Sequence, residues 1–190
     1  MAAITIIGKG NMGQAIGDVF TQGGNQVTYL GHTDPIENLG TIVVLAVPYS
    51  AAISIAKNNS AALADKIVID ITNPLNFDTW DSLVVPADSS AAAEIAALLP
   101  DSQIVKAFNT TFAGTLKSRQ VVGVKTTVMA ASDNADAKKT LAAALADSGV
   151  NFIDAGSLKR AREMESMGFL QMTIAASEQI GWTGGFGVLK

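Results

Sequence analysis

The stretch Ala3-Ile4-Thr5-Ile6-Ile7-Gly8-Lys9-Gly10-Asn11-Met12-Gly13 decides how the rest of the chain is read. Residues 3–7 form a short apolar run that fits a buried strand, and a helical pattern follows over 11–22. Between them, Gly8, Gly10 and Gly13 stand in the spacing G-x-G-x-x-G. In that setting each glycine has a task. Gly8 permits a tight turn, Gly10 lets a ligand's diphosphate approach the backbone, and Gly13 lets helix and strand pack closely. Gly17, one helical turn on, extends that contact. The diphosphate would rest on free N–H groups at the positive end of the helix. The spacing alone is a weak signal, and the strand before it and helix after it strengthen it. The plainer alternative is a set of glycines that only shape a turn.

Outward from this stretch, apolar runs alternate with helical patterns almost to the end of the chain. Strands are expected over 26–30, 41–47, 66–70, 103–107, 127–131 and 151–154. Helices are expected at about 50–57, 89–99, 135–147 and 158–179. A run such as Thr41-Ile42-Val43-Val44-Leu45-Ala46-Val47 needs cover on both faces, which a parallel sheet between helices provides. The alternation predicts one α/β domain over 1–190, with a Rossmann-like, doubly wound, mostly parallel sheet in three layers. The region after the second strand is shortened. Residues 31–40 barely reach the roughly dozen residues that a parallel crossover needs. An edge strand is therefore missing, and 26–30 is expected to be the sheet edge. The glycine-rich tail Gly181-Trp182-Thr183-Gly184-Gly185-Phe186-Gly187 fits either a flexible end or a loop laid over a pocket.

The bulk composition agrees with a well-buried α/β protein. Of 190 residues, 48% are hydrophobic and 16% charged, with a mean hydropathy of +0.31. A disordered chain would be charged and poor in aliphatics. The formal net charge is −4 and the pI about 4.9, so nucleic acid is not an expected partner. With no cysteine and a single histidine, His32, thiolate and His-rich metal sites are excluded and no metal is expected. Met1-Ala2-Ala3-Ile4 runs straight into a strand pattern, without the basic start of a signal peptide. No apolar run approaches the ~20 residues of a membrane span. The expectation is a cytoplasmic protein with no membrane partner.

Ligands of such sheets bind beyond the carboxyl ends of the strands. The segments there read Val47-Pro48-Tyr49-Ser50, Thr72-Asn73-Pro74 and Phe108-Asn109-Thr110. The second strand ends in Tyr29-Leu30-Gly31-His32-Thr33, where no carboxylate stands. A 2′-phosphate would meet no repulsion there, and His32 and Thr33 offer donors. Asp34, slightly later, is the objection, and an uninvolved surface His32 is the alternative. The cofactor expected is NADP, with NAD open. Lys106 reads as a buried pair more readily than as a site cation. No nucleophile–base pair and no Tyr-x-x-x-Lys pair appears, so no catalytic side chain is assigned. Hydride transfer between two aligned rings needs none.

The chain resembles the NADP oxidoreductases of the coenzyme F420-dependent type, together with the related ferric-reductase domains. The resemblance is carried, in order, by Ile7-Gly8-Lys9-Gly10-Asn11-Met12-Gly13, Leu45-Ala46-Val47-Pro48-Tyr49, Val68-Ile69-Asp70-Ile71-Thr72-Asn73-Pro74-Leu75, Val105-Lys106-Ala107-Phe108-Asn109-Thr110 and Asp154-Ala155-Gly156-Ser157-Leu158, with Arg162 beyond. It implies NADPH across Gly8–Gly13, His32–Thr33 and Val47–Pro48, with Lys9, Asn11, Met12, Ala46, Tyr49 and Pro74 beside it. It implies a flat, flavin- or deazaflavin-like acceptor stacked on the nicotinamide near Asn73, Ala107 and Asn109, and a homodimer. Two features depart from the family. His32-Thr33 stands where the family often has Ser-Arg, and the family's next helix and strand are missing.

Two other functions fit the same residues. One is a non-catalytic module that senses a dinucleotide. The other is a small-metabolite dehydrogenase whose site a second copy completes through the last helix. In that helix Met164, Met167, Phe169, Leu170 and Met172 fit a core or dimer stripe.

Overall fold

The computed structural model describes residues 1–189. The first half of the chain holds β1 (Ala3–Ile7), α1 (Asn11–Gln22), β2 (Gln26–Leu30), β3 (Ile42–Leu45), α2 (Tyr49–Asn58), α3 (Ser60–Leu63), β4 (Ile67–Asp70) and α4 (Ala91–Leu98). The second half holds β5 (Gln103–Ala107), α5 (Ala113–Ser118), β6 (Gln120–Val121), β7 (Val124–Lys125), β8 (Thr127–Ala131), α6 (Ala135–Ala144), β9 (Asn151–Gly156) and α7 (Ala161–Ala176). A short 3-10 turn, Leu158–Arg160, leads into α7.

Seven strands form one sheet in the order β2-β1-β3-β4-β5-β8-β9. The five strands from β2 to β5 are mutually parallel. β8 pairs antiparallel with β5, and β9 runs parallel to β8. β2 is the sheet edge, and residues 31–41 cross to β3 without a helix. The two-residue strands β6 and β7 form a separate hairpin that turns the chain before β8.

The residues of the central strands explain the layers. Ile42 and Val44 of β3 face one apolar core, with Ile4, Ile6, Ile16 and Phe20. Val43 and Leu45 of the same strand face the other, with Ala52, Leu63 and Ile95. Successive side chains of a strand alternate between faces, so a strand apolar at every position must lie between two helical layers. The result is the expected three-layered, mostly parallel Rossmann-like sheet. Ser90 caps α4 by accepting from Ala93 N–H at 3.0 Å, and Asn134 caps α6 by accepting from Ala137 N–H at 2.8 Å. Gly17 makes room for a side chain, since a Cβ there would lie 1.8 Å from Tyr29 Oη.

Candidate nucleotide cleft

The turn between β1 and α1 is held by its neighbours. Gly8 N–H donates to Leu30 O at 2.9 Å, and Ala46 N–H donates to Ile7 O at 2.8 Å. The three glycines answer to different constraints. Gly8 has φ +120°, and a Cβ on it would lie 2.1 Å from Ala46 O. A Cβ on Gly13 would lie 2.2 Å from Gly8 O. A Cβ on Gly10 would meet nothing within 4 Å. The protein itself therefore requires Gly8 and Gly13, whereas Gly10 faces open space. Gly10 is also the N-cap of α1, and no side chain caps that end. Helix-end N–H groups left this way are ready donors to an anion.

That open space belongs to a cavity of about 740 Å³ along the carboxyl ends of the strands. Of the residues singled out from the sequence, it brings together Gly10, Asn11, Met12, Gly13, Ala46, Val47, Pro48, Tyr49, Asn73 and Asn109. Gly8 lies behind the wall, and Lys9, His32 and Thr33 lie outside it at the end of β2. Pro74 and Ala107 are buried and do not line the cavity. The wall also takes in Trp182 and Thr183 of the tail, whose glycine-rich sequence already fitted a loop over a pocket, and Met172 of α7; Phe77, Thr111, Phe112, Gly114 and Lys117 carried no signal in the sequence. Gly114 and Lys117 lie on α5, which is too short for a helical period to mark it. The tail is a loop over the pocket. Trp182 packs on Phe112 with ring centroids 5.0 Å apart and the planes tilted by 54°, and Phe186 N–H donates to Gln171 Oε1 at 3.3 Å.

Near Lys9, His32 and Thr33 the structure corrects one expectation. A carboxylate does stand at the end of β2. Asp34 folds back in a tight turn, its N–H donating to Gly31 O at 3.3 Å. Its Oδ2 accepts from Gly31 N–H at 2.7 Å and from Lys9 Nζ at 2.8 Å. Those two bonds hold the Asp34 carboxyl below its ordinary range, the lysine contributing most. His32 and Thr33 are exposed at the tip of the turn. Distance along the chain hid the return of Asp34 to the strand end.

Beneath the cleft lies a buried charge cluster. Lys106 Nζ is 2.8 Å from both Asp70 Oδ2 and Glu165 Oε1, and it also donates to Thr72 O. Asp70 Oδ1 accepts from Thr72 N–H at 2.9 Å. Asp70 and Lys106 thus pin the N–H and the C=O of Thr72, the residue before Asn73. Glu165, on α7, also accepts from Ala91 N–H at 2.9 Å and Ala92 N–H at 3.3 Å, at the start of α4. Burial pushes the Glu165 carboxyl above its ordinary value, against the opposing pull of Lys106. Lys106 is a buried pair and lines no part of the cavity.

Asn73 and Asn109 lock each other at the far end of the cleft. Asn109 Nδ2 donates to Asn73 Oδ1 and to Met164 O, both at 2.9 Å, and Asn73 Nδ2 donates to Asn109 O at 2.9 Å. Phe108, with φ +64°, turns the chain so that Asn109 reaches the cleft. The Asn109 Oδ1 and Thr72 Oγ1 atoms remain without a partner. The Tyr49 hydroxyl donates to Glu94, and burial followed by that carboxylate raises its pKa, so it stays protonated. No helix among the described residues is long and apolar enough to cross a membrane.

No protein-family model matches the chain. Over 132 residues the chain is 30% identical to the F420-dependent NADP reductase of Methanocaldococcus jannaschii, a match covering 67% of this chain and 59% of that protein. Over 142 residues it is 30% identical to the metalloreductase STEAP3 of Rattus norvegicus, covering 75% of this chain and 27% of that one. A crystal structure described as a candidate F420-dependent NADP reductase from Arthrobacter sp. FB24 superposes with a TM-score of 0.85, at 20% identity and over 100% of both chains. These matches bear out the resemblance read from the motifs and the fold. The chain spans less than two thirds of either curated relative.

Proposed function

We propose that this chain is an NADPH-dependent oxidoreductase that passes hydride between NADP(H) and a flat, flavin- or deazaflavin-like acceptor. The observation that carries the reading is the open space in front of Gly10. The protein does not need a glycine there, and a diphosphate on the bare end of α1 does. The cavity that opens from this point is long enough in volume for a nucleotide and part of a second ring. The F420-dependent and metalloreductase activities named for the two curated relatives support the same class of chemistry.

The nicotinamide ring, when bound, supplies the hydride chemistry. The chain's own residues bind, align and dry the site. Gly10, Asn11, Met12 and Gly13 hold the diphosphate through backbone N–H groups. Val47 and Pro48 form a stiff wall beside them. Asn73, Asn109 and Thr72 line the far end, where the mutual hydrogen bonds of the two asparagines fix the shape of the wall that the ring would meet. Phe112, Met172 and Trp182 exclude water there. Lys9, His32 and Thr33 lie toward the adenosine ribose. Gly8 shapes the turn, and Ala46, Tyr49, Pro74 and Ala107 shape and support the pocket. No side chain is assigned as acid or base, and the Tyr49 hydroxyl is committed to Glu94.

The reading extends to one domain over residues 1–190, working in the cytoplasm as a homodimer. The dimer would form through the outer face of α7, where Leu170 is 53% exposed beside the partly buried Phe169 and Met167. The edge position of β2, with no helix beyond it, favours one rival: a module that binds a dinucleotide without turnover. Titration with NADPH and NADH, followed by NADPH oxidation against flavins, deazaflavins and quinones, decides between them. Turnover with a flat acceptor is expected. Tight binding with every acceptor inert supports the rival, and no binding of either coenzyme overturns both.

A further inference from the structure

We infer that Lys9 and Asp34 form the coenzyme-discriminating pair of this chain, and that the pair admits both NADH and NADPH. The inference rests on the dinucleotide reading above and deepens it. In a nucleotide held across Gly8–Gly13, the adenosine ribose falls between the first turn and the end of the second strand. The Asp34 carboxylate occupies that place, 2.7 Å from the N–H of Gly31, the residue that follows β2. A carboxylate there accepts hydrogen bonds from ribose hydroxyls and, standing alone, repels a 2′-phosphate.

It does not stand alone. Lys9 rises from the glycine-rich turn itself and places Nζ 2.8 Å from Asp34 Oδ2. The pair is neutral, so neither coenzyme meets an uncompensated like charge. Both Asp34 hydrogen bonds fall on Oδ2, and among the described residues Oδ1 has no protein donor. Oδ1 is the acceptor for a ribose hydroxyl. The Lys9 ammonium carries three donors and spends one on Asp34. The remaining two are available to a 2′-phosphate, and the flexible four-carbon stem lets the group lean toward it. The lysine side chain is half exposed and the carboxylate over a third, so both are open to a ligand.

The test measures dissociation constants of NADPH and NADH for the wild type, Lys9→Met and Asp34→Asn, with melting temperature as a control for folding. The wild type is expected to bind both coenzymes. Lys9→Met bares the carboxylate, so NADPH should weaken about tenfold or more while NADH changes little. Asp34→Asn removes the ribose acceptor's charge and frees the lysine, so NADH should weaken and NADPH tighten, moving the ratio about tenfold the other way. A ratio unchanged in both variants, or a wild type that binds NADPH alone, overturns the inference and leaves the dinucleotide reading standing. A folded wild type that ignores both coenzymes overturns that reading and the inference with it.

Discussion

At the scale of single residues, the three glycines of the first turn separate into folding and binding roles. A methyl on Gly13 must displace the Gly8 carbonyl, since the contact would be 2.2 Å. Gly13→Ala is expected to cost about 1–3 kcal/mol of stability, as overpacking against backbone does, read as a lowered urea midpoint. A Cβ on Gly10 meets no protein atom within 4 Å, so Gly10→Val should still fold, yet its side chain fills the approach to the α1 amides. Coenzyme binding should be lost in a folded Gly10→Val protein, and an unchanged dissociation constant would remove the diphosphate from this turn. Glu165 gives a pH signature. Its carboxyl titrates above the ordinary value because it is buried. The stability linked to it is therefore present below the ordinary carboxylate range and lost as pH rises through the elevated value. In Glu165→Gln that loss should flatten in denaturant titrations across the range, and an unaltered pH slope would show that Glu165 does not titrate there. These roles were partly legible in the sequence. The G-x-G-x-x-G spacing marked all three glycines but could not tell which one faced a ligand, because that depends on Ala46 and Gly8 carbonyls brought near by folding. Asp34 is legible only as an objection for the same kind of reason: its distance from β2 along the chain says nothing of the turn that brings it back.

At the scale of elements, what carried a strong local pattern was legible. β1, α1, β2, β5 and β8 have the bounds that their apolar runs suggest, and the short 31–40 stretch required an edge β2. The elements not foreseen are short. α5 has six residues and β6 and β7 two each, too few for a helical or alternating period to show. The antiparallel direction of β8 was likewise unreadable, because an apolar strand reads the same either way round. α7 starts at Ala161 and stops at Ala176, three residues inside the expected range at each end. Its packing depends on Gly168, where a Cβ would lie 2.4 Å from Asn73 Oδ1 and 2.8 Å from Asn109 O. Gly168→Ala must push α7 off the asparagine pair, and the same helix carries Glu165 and Met172. The expected result is a loss of about 1–3 kcal/mol, together with weaker acceptor turnover in steady-state assays. A variant with wild-type stability and kinetics would show that α7 does not need this close approach.

At the scale of the whole molecule, the cleft has one rigid end and one end closed by the tail. The diphosphate end is built from backbone packed against backbone, from Gly8 to Ala46 and Gly13 to Gly8. The far end is closed by Trp182 on Phe112 and by the tail backbone packed on α5, where a Cβ on Gly114 would lie 2.8 Å from Trp182 O. The tail attaches to the body through few groups, chiefly the Phe186 N–H bond to Gln171. Loss of the indole should therefore act on one end of the site only. Trp182→Ala removes an aromatic contact worth about 0.5–1.5 kcal/mol beyond its buried area, and it leaves the α1 amides untouched. The coenzyme's dissociation constant should stay within about threefold of wild type, while the acceptor's KM rises about tenfold, since tenfold corresponds to ~1.4 kcal/mol. The split between the two ligands is the informative quantity. Equal weakening of both would mean that the tail braces the whole cleft, and no change in either would mean that Trp182 covers a surface the acceptor never touches.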